Sequence, residues 1–183
     1  VLNDNATLVI GSGNYFTGPV GTPLPTDLSA IPSGTWENIG HTSLEDILSQ
    51  ATEGGDVTVL GTLQNKTLRT SRTTKVDTFN ITLQQFDTPS LKLYYGSNAP
   101  ENADGTIGVP QNPTPTVKAF LAVFVDAESI FAIHVPKSEI IGSDSLALSD
   151  TESLAGLPLA ITPLIHGTNT YPYSVTPLGD TQG

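Results

Sequence analysis

From Val57 to Gln64 the chain alternates: Val57, Val59, Gly61 and Leu63 fall on odd positions, Thr58, Leu60, Thr62 and Gln64 on even ones. The same period returns between Val76 and Gln85, where Phe79, Ile81 and Leu83 oppose Thr78, Asn80, Thr82 and Gln84. Successive side chains of a strand point to opposite faces, so both segments predict strands with one core face and one nearly uncharged polar face. Val57, Val59, Phe79, Ile81 and Leu83 are the expected core side.

The remaining punctuation fits the same picture. ATLVI at 6–10 predicts a strand, and TWENIGH around the only tryptophan, Trp36, a short one. Between them, residues 11–34 are dense in glycine and proline, which predicts an extended connection. A loop of that length is unusual in a compact monomer and suggests a functional or partner-bound arm. Thr42 with Glu45, and Ser43 with Asp46, form capping-box patterns that predict one helical turn, ended by TEGGD at 52–56. The clearest helix is 87–96: Asp87 or Thr88 caps it, Pro89 suits its first position, and Gly96 closes it. Leu91, Tyr94 and Tyr95 recur at helical spacing and should pack on a sheet.

Residues 97–116 form a second long Pro/Gly/Asn loop. Residues 118–125 and 129–135 are apolar on both faces and predict two strands buried on both sides, joined by a tight turn at 126–128. LPLAITPLI at 157–165 predicts a last strand, and 166–183 a polar C-terminal arm. No repeat or composition shift divides the chain, so residues 1–183 are expected to form a single domain, mainly β, with one flanking helix.

Composition narrows the function classes. At 183 residues, with 37% hydrophobic and 14% charged residues, the chain can bury a real core and carries a surface of uncharged polar side chains. Cysteine is absent, which excludes disulfides and thiolate metal sites. The longest apolar run, Ala119 to Val125, is strand-sized, so no membrane insertion is expected. The opening residues show neither a charged n-region nor an apolar h-region, and no signal peptide is expected. With 18 acidic against 7 basic residues and a formal net charge of −11, the protein would be repelled by free DNA. Sequence-specific DNA binding is therefore disfavoured.

Catalytic chemistry is not visible. His41, His134 and His166 lie outside any metal-spaced motif. His41 with Glu45 is a lone pair, and His134 reads as a satisfied core residue. There is no G-x-S-x-G nucleophile elbow and no P-loop, and GSG at 11–13 lacks the rest of a dinucleotide fingerprint. No catalytic residue, no metal and no cofactor is expected.

The one unusual feature is QNKTLRTSRTTKVD at 64–77, which holds Lys66, Arg69, Arg72 and Lys75, four of the seven basic residues. It has no aromatic residue on which a base could stack. Its three-residue spacing alternates faces along a strand, so no single face collects all four charges. A solvated hairpin or an intersubunit salt-bridge strip remain as its readings.

The order TWENIGHTS, EGGDVTVLGTLQNKTLRT, DTFNITLQQFDTPSLKLYYG, over residues 36–96, resembles the major tail (tail tube) protein of long-tailed actinobacteriophages. The resemblance implies a β-sandwich or barrel-like subunit with long arms, built into hexameric rings that stack into a non-contractile tube through which phage DNA leaves. It also implies that the chain partners itself and the tail tip and terminator proteins, and that it is assembled in the host cytoplasm and resides in the virion tail. DNA must pass without sticking, because lumenal cations would add counterion-release affinity. Thr58, Thr62, Gln64, Thr78, Asn80, Thr82 and Gln84 are then expected to line the channel. Lys66, Arg69, Arg72 and Lys75 are expected at the junction between rings, meeting Glu45, Asp46, Glu53 or Asp56 of the next ring. Two alternatives stand beside this: an extracellular β-sandwich carbohydrate-binding module with Trp36, Tyr94 and Tyr95 as a stacking platform, and another virion ring or decoration protein.

Overall fold

The structure, a computed structural model, describes residues 2, 6–127, 129–146, 148 and 151–180. Its elements are β1 (Ser12–Gly18), β2 (Glu37–Asn38), β3 (Ser49–Gly54), β4 (Val57–Leu60), β5 (Arg69–Arg72), β6 (Lys75–Leu83), α1 (Thr88–Tyr95), β7 (Thr116–Asp126), β8 (Ser129–Gly142), β9 (Leu157–Pro163), β10 (Ser174–Val175) and β11 (Gly179–Asp180). The fold is mainly β and β-sandwich-like. Antiparallel pairing gives one sheet in the order β2-β1-β7-β8-β9-β6-β3, with β10 and β11 also on β8, while β4 and β5 form a separate ribbon.

The alternation in β6 does what the sequence leads one to expect. Phe79, Ile81 and Leu83 are buried, and they share a core with Leu157, Leu159 and Ile161 of β9, the strand paired with β6. Asp87 caps α1 by accepting from the Ser90 amide at 3.0 Å, proline lies in the first turn, and Gly96 closes the helix at φ 102°. Ser90, Leu93 and Tyr94 are its buried residues; Leu91 and Tyr95 pack partly.

β7 is buried on both sides, as its two apolar faces imply. Phe120, Ala122 and Phe124 enter the main core, whereas Ala119, Leu121 and Val123 form a second core with Trp36, Ile130 and Ala132. The glycine- and proline-rich stretch covers that second core, laying Leu24, Leu28 and Ile31 against it.

Four expectations need correction. The strand expected at 6–10 begins instead at Ser12, inside the stretch expected as loop. The pairing of β1 with β7 ends at Ser12–Val125, and β7 itself ends at Asp126, so little partner backbone remains for residues 6–10. The glycines that suggested a loop are what let this strand approach: a Cβ at Gly13 would lie 2.9 Å from the Phe124 ring. No helical turn forms at 42–48. The Ser43 hydroxyl does accept from the Glu45 and Asp46 amides at 3.3 Å, but the Ser43 amide donates to Thr82 O and the Ile47 carbonyl accepts from the Tyr15 hydroxyl. These two bonds tie both ends of the segment to β6 and β1.

The C-terminal arm expected at 166–183 doubles back on its own chain over 174–180. Ser174 pairs with His134 and Gly179 with Ile130, because the N-terminal half of β8 has a free edge that β9 does not reach. Residues 181–183 of that arm lie outside the described residues. Finally, Val57 and Val59 are not core residues. They stand in the β4–β5 ribbon, which pairs only with itself and leaves both its faces exposed.

Candidate functional site

The expected polar face divides into two places. Thr78, Asn80 and Thr82 lie together on β6, half-buried, on the side opposite Phe79, Ile81 and Leu83. Strand pairing extends this face into the neighbouring strands: Asn80 lies beside Ser49 and Ala160, and Thr78 beside Ala51 and Thr162, its hydroxyl 3.4 Å from that of Thr162. Glu139 of β8 pairs with Thr162, and Glu53 of β3 with Val76. By strand parity Lys137 joins the same face, so two carboxylates outnumber one cation on an otherwise neutral surface. Gln84 continues just past β6, its amide donating to His41 O at 2.8 Å. Thr58, Thr62 and Gln64 are elsewhere, on the ribbon and its turn. No local pattern marks Thr162 or Glu139 as members of this face, since each arrives through pairing of distant strands.

The basic stretch forms most of a projecting hairpin. Arg69 pairs with Leu60 and Arg72 with Val57, on opposite faces of the ribbon. Its base is articulated. Gly54 and Gly55 take φ of 74° and 76°, and a Cβ at Gly54 would lie 2.2 Å from Thr74 O. The Asp56 amide donates to the Thr73 hydroxyl at 3.0 Å, and the Thr73 amide to Asp56 O at 3.1 Å. Lys75 differs from its three companions. It pairs within the chain with Asp77 at 3.0 Å, whereas Lys66, Arg69 and Arg72 have no carboxylate within ion-pair distance among the described residues.

The acidic residues expected as partners fall into two groups. Glu53, near the end of β3, and Asp56, just before β4, lie at the base of the hairpin that carries the basic residues. Glu45 and Asp46 lie beyond the other end of β6, where Thr42 bridges to Leu83. Since β6 rises about 3.3 Å per residue, these two ends are separated by roughly 25 Å.

Other polar groups are structurally occupied. The buried His134 ring donates from Nε2 to Thr22 O at 2.9 Å and meets Trp36 edge-on; burial pushes its pKa below the ordinary value. A cavity of about 420 Å³ between β1, β2 and α1 is lined by Glu37, Asp87, Lys92 and Lys118 among others. Lys92 pairs with Glu101 at 2.8 Å and Lys118 with Glu37 at 3.7 Å, while Asp87 caps α1. His41 and Glu45 belong to no metal-ligating group among the described residues. Trp36 is 3% exposed and Tyr94 is buried, so the stacking platform that a carbohydrate module would need is not formed.

The model of the family described as phage tail tube protein matches residues 1–175. The chain is also 36% identical over 176 residues to the major tail protein Gp23 of Mycobacterium phage L5, covering 90% of this chain and 87% of that one. It is 35% identical, with the same coverage, to the major tail protein Gp23 of Mycobacterium phage D29.

Proposed function

Because the chain belongs to the phage tail tube protein family and has its structural role in the tail, we propose that it forms stacked hexameric rings enclosing a conduit for phage DNA. The β6 face of Thr78, Asn80 and Thr82 lines the lumen, together with Ser49, Ala51, Ala160, Thr162 and Glu139. The observation that carries this is the division of β6 into a buried apolar face and a polar face with few cations. Such a wall offers little counterion release to a passing phosphate backbone.

In this assembly, sheet edges join between copies, the rings associate with tail tip and terminator proteins, and the tail is non-contractile. The chain serves as a structural subunit and not as an enzyme, is assembled in the host cytoplasm, and ends in the virion tail. Lys66, Arg69 and Arg72 meet carboxylates of the next ring, where complementary charge fixes stacking polarity more than affinity. Lys75 has a weaker claim to that role, being held by Asp77. Thr58, Thr62 and Gln64 belong with the projecting hairpin and not with the lumenal wall.

Electron microscopy of the concentrated protein tests this. Hollow tubes are expected, with Thr78, Asn80 and Thr82 facing the lumen in a three-dimensional map. A map placing them on the outer wall would overturn the lumenal assignment. Single rings without stacking would favour another virion ring protein.

A further inference from the structure

We propose that Asp77 and Tyr173 are positioning residues for the β4–β5 ribbon: through them the C-terminal segment fixes the end of β3 and so aims the projecting arm. This rests on the stacking role proposed above and names what prepares the ribbon for it.

The ribbon has little of its own to fix its direction. Both its strands are exposed throughout, and β4 and β5 pair only with each other. The last rung of the sandwich beneath it joins Gly54 to Lys75, and the ribbon's own first rung joins Val57 to Arg72. Only residues 55–56 and 73–74 lie between. One root of the arm is therefore β3, an edge strand that pairs with β6 alone and whose six residues are all exposed. A strand end with no buried apolar contact opens readily unless another group holds it.

The Asp77 carboxylate supplies that hold. Thr52 of β3 donates its hydroxyl to Asp77 Oδ1 at 2.6 Å, and the Lys75 ammonium, opposite Gly54, meets the same oxygen at 3.0 Å. Asp77 Oδ2 accepts from the Tyr173 hydroxyl at 2.9 Å, and that hydroxyl oxygen accepts from the Gln50 side-chain amide at 3.3 Å. Gln50–Phe79, Thr52–Asp77 and Gly54–Lys75 are alternate rungs of the β3–β6 ladder, so one carboxylate and one phenol tie its end together. Tyr173 carries the tie inward. Its ring lies edge-on to the buried Phe79, and the residues after it pair with β8, Ser174 with His134 and Val175 with Ile133. The Thr176 amide adds a bond to Ala132 O at 2.9 Å. β8 lies inside the sheet between β7 and β9, so the exposed edge is braced against the interior. Sealing the core needs only the ring of Tyr173, which phenylalanine would supply equally. Its hydroxyl, and the Thr52 hydroxyl on the same carboxylate, are the groups that reach β3.

The absence of cysteine allows a direct test by spin labelling. Labels at S71C on the ribbon and V117C on β7, both exposed positions, report the direction of the ribbon in the unassembled protein by double electron–electron resonance. The parent should give one narrow distance distribution. Y173F and T52V should each broaden it, T52V while leaving Tyr173 and the core in place. G142A, which disturbs the α1–β8 contact instead, should lower the unfolding midpoint and leave the distribution narrow. An unchanged distribution in both Y173F and T52V, or equal broadening in G142A, would overturn the positioning role. Without labels, and where the parent forms tubes by microscopy, Y173F and T52V should raise the protein concentration needed for stacking by about threefold or more, because only the correctly aimed fraction is competent. A broadened ribbon with an unchanged threshold would also overturn the proposal. Absence of tubes from the parent would overturn the stacking function and leave the aiming of the ribbon standing.

Discussion

Tyr173 donates its hydroxyl hydrogen to Asp77 Oδ2 at 2.9 Å, tying the C-terminal segment to β6 across 96 positions of sequence. The ring meets Phe79 edge-on at 5.1 Å, so one side chain closes the core and satisfies a carboxylate at its margin. Desolvation raises the Asp77 pKa, but hydrogen bonds from Thr52, Lys75, Tyr173 and Gln50 outweigh it and lower the pKa to about 2. A carboxylate held below its unfolded value stabilises the fold above that value, near 3.8, and the stabilisation is lost as pH falls through about 2. Tyr173→Phe should cost about 1–2 kcal/mol at neutral pH. Denaturant unfolding of both proteins at pH 7 and pH 2 should show the gap narrowing in acid.

His134 carries the opposite ionic logic. Its neutral ring donates to Thr22 O, pinning the 19–36 stretch over the second core, and burial disfavours its charged form. The folded state therefore binds this proton less readily than the unfolded chain does. Stability is full above about pH 6.5 and declines as pH falls below it toward the lowered folded value. Trp36, 5.9 Å from the imidazole, reports this directly. Its emission during denaturant titration at pH 5 and pH 7.5 should show a lower midpoint in acid. His134→Phe should reduce that difference, although it also loses the bond to Thr22.

Gly142 is required for packing. A Cβ there would lie 2.8 Å from the Tyr94 ring and 2.9 Å from Tyr94 O. Gly142→Ala should cost about 1–3 kcal/mol by forcing α1 away from β8. Thermal unfolding should register a fall of several degrees. Gly11→Ala, with its nearest neighbour at 3.3 Å, should be milder.

Charge reversal on the hairpin tests stacking without touching the core. Arg69 and Arg72 are exposed, so R69E/R72E should leave the unfolding midpoint within about 0.5 kcal/mol of the parent. Tubes should become shorter or dissociate at lower salt, measured by negative-stain length distributions across a salt series. Unchanged lengths and salt resistance would remove these arginines from the junction.

Cations placed on the proposed lumenal wall should hinder the passage of DNA. Asn80→Lys with Thr82→Lys adds two positive charges per subunit to a face that is otherwise neutral to acidic. Phage carrying this pair should build tails of normal length and eject DNA more slowly, with the delay shrinking as salt rises. Normal ejection kinetics at low salt would count against that face lining the lumen.

The sequence by itself determined what depends on neighbours along the chain. The β6 alternation, the Asp87 cap with its proline and the closing Gly96 are local, and they specify strand and helix through side-chain direction and backbone geometry. The apolar faces of residues 118–125 likewise announced burial on both sides. What covers those faces was not legible, because residues 24, 28 and 31 look like loop until Trp36 and β7 give them something to pack against. The same limit explains β1, whose Gly13 reads as part of a break but serves close contact with Phe124, and Val57 and Val59, which alternate with threonine although no core lies beside them. Alternation fixes which way a side chain points, and only tertiary pairing decides what it meets. So the basic stretch was visible from the start, but tertiary structure set it at the end of β6 opposite to Glu45 and Asp46, since that placement follows from the long-range pairing of β6 with β3 and from the bridge of Thr42 to Leu83.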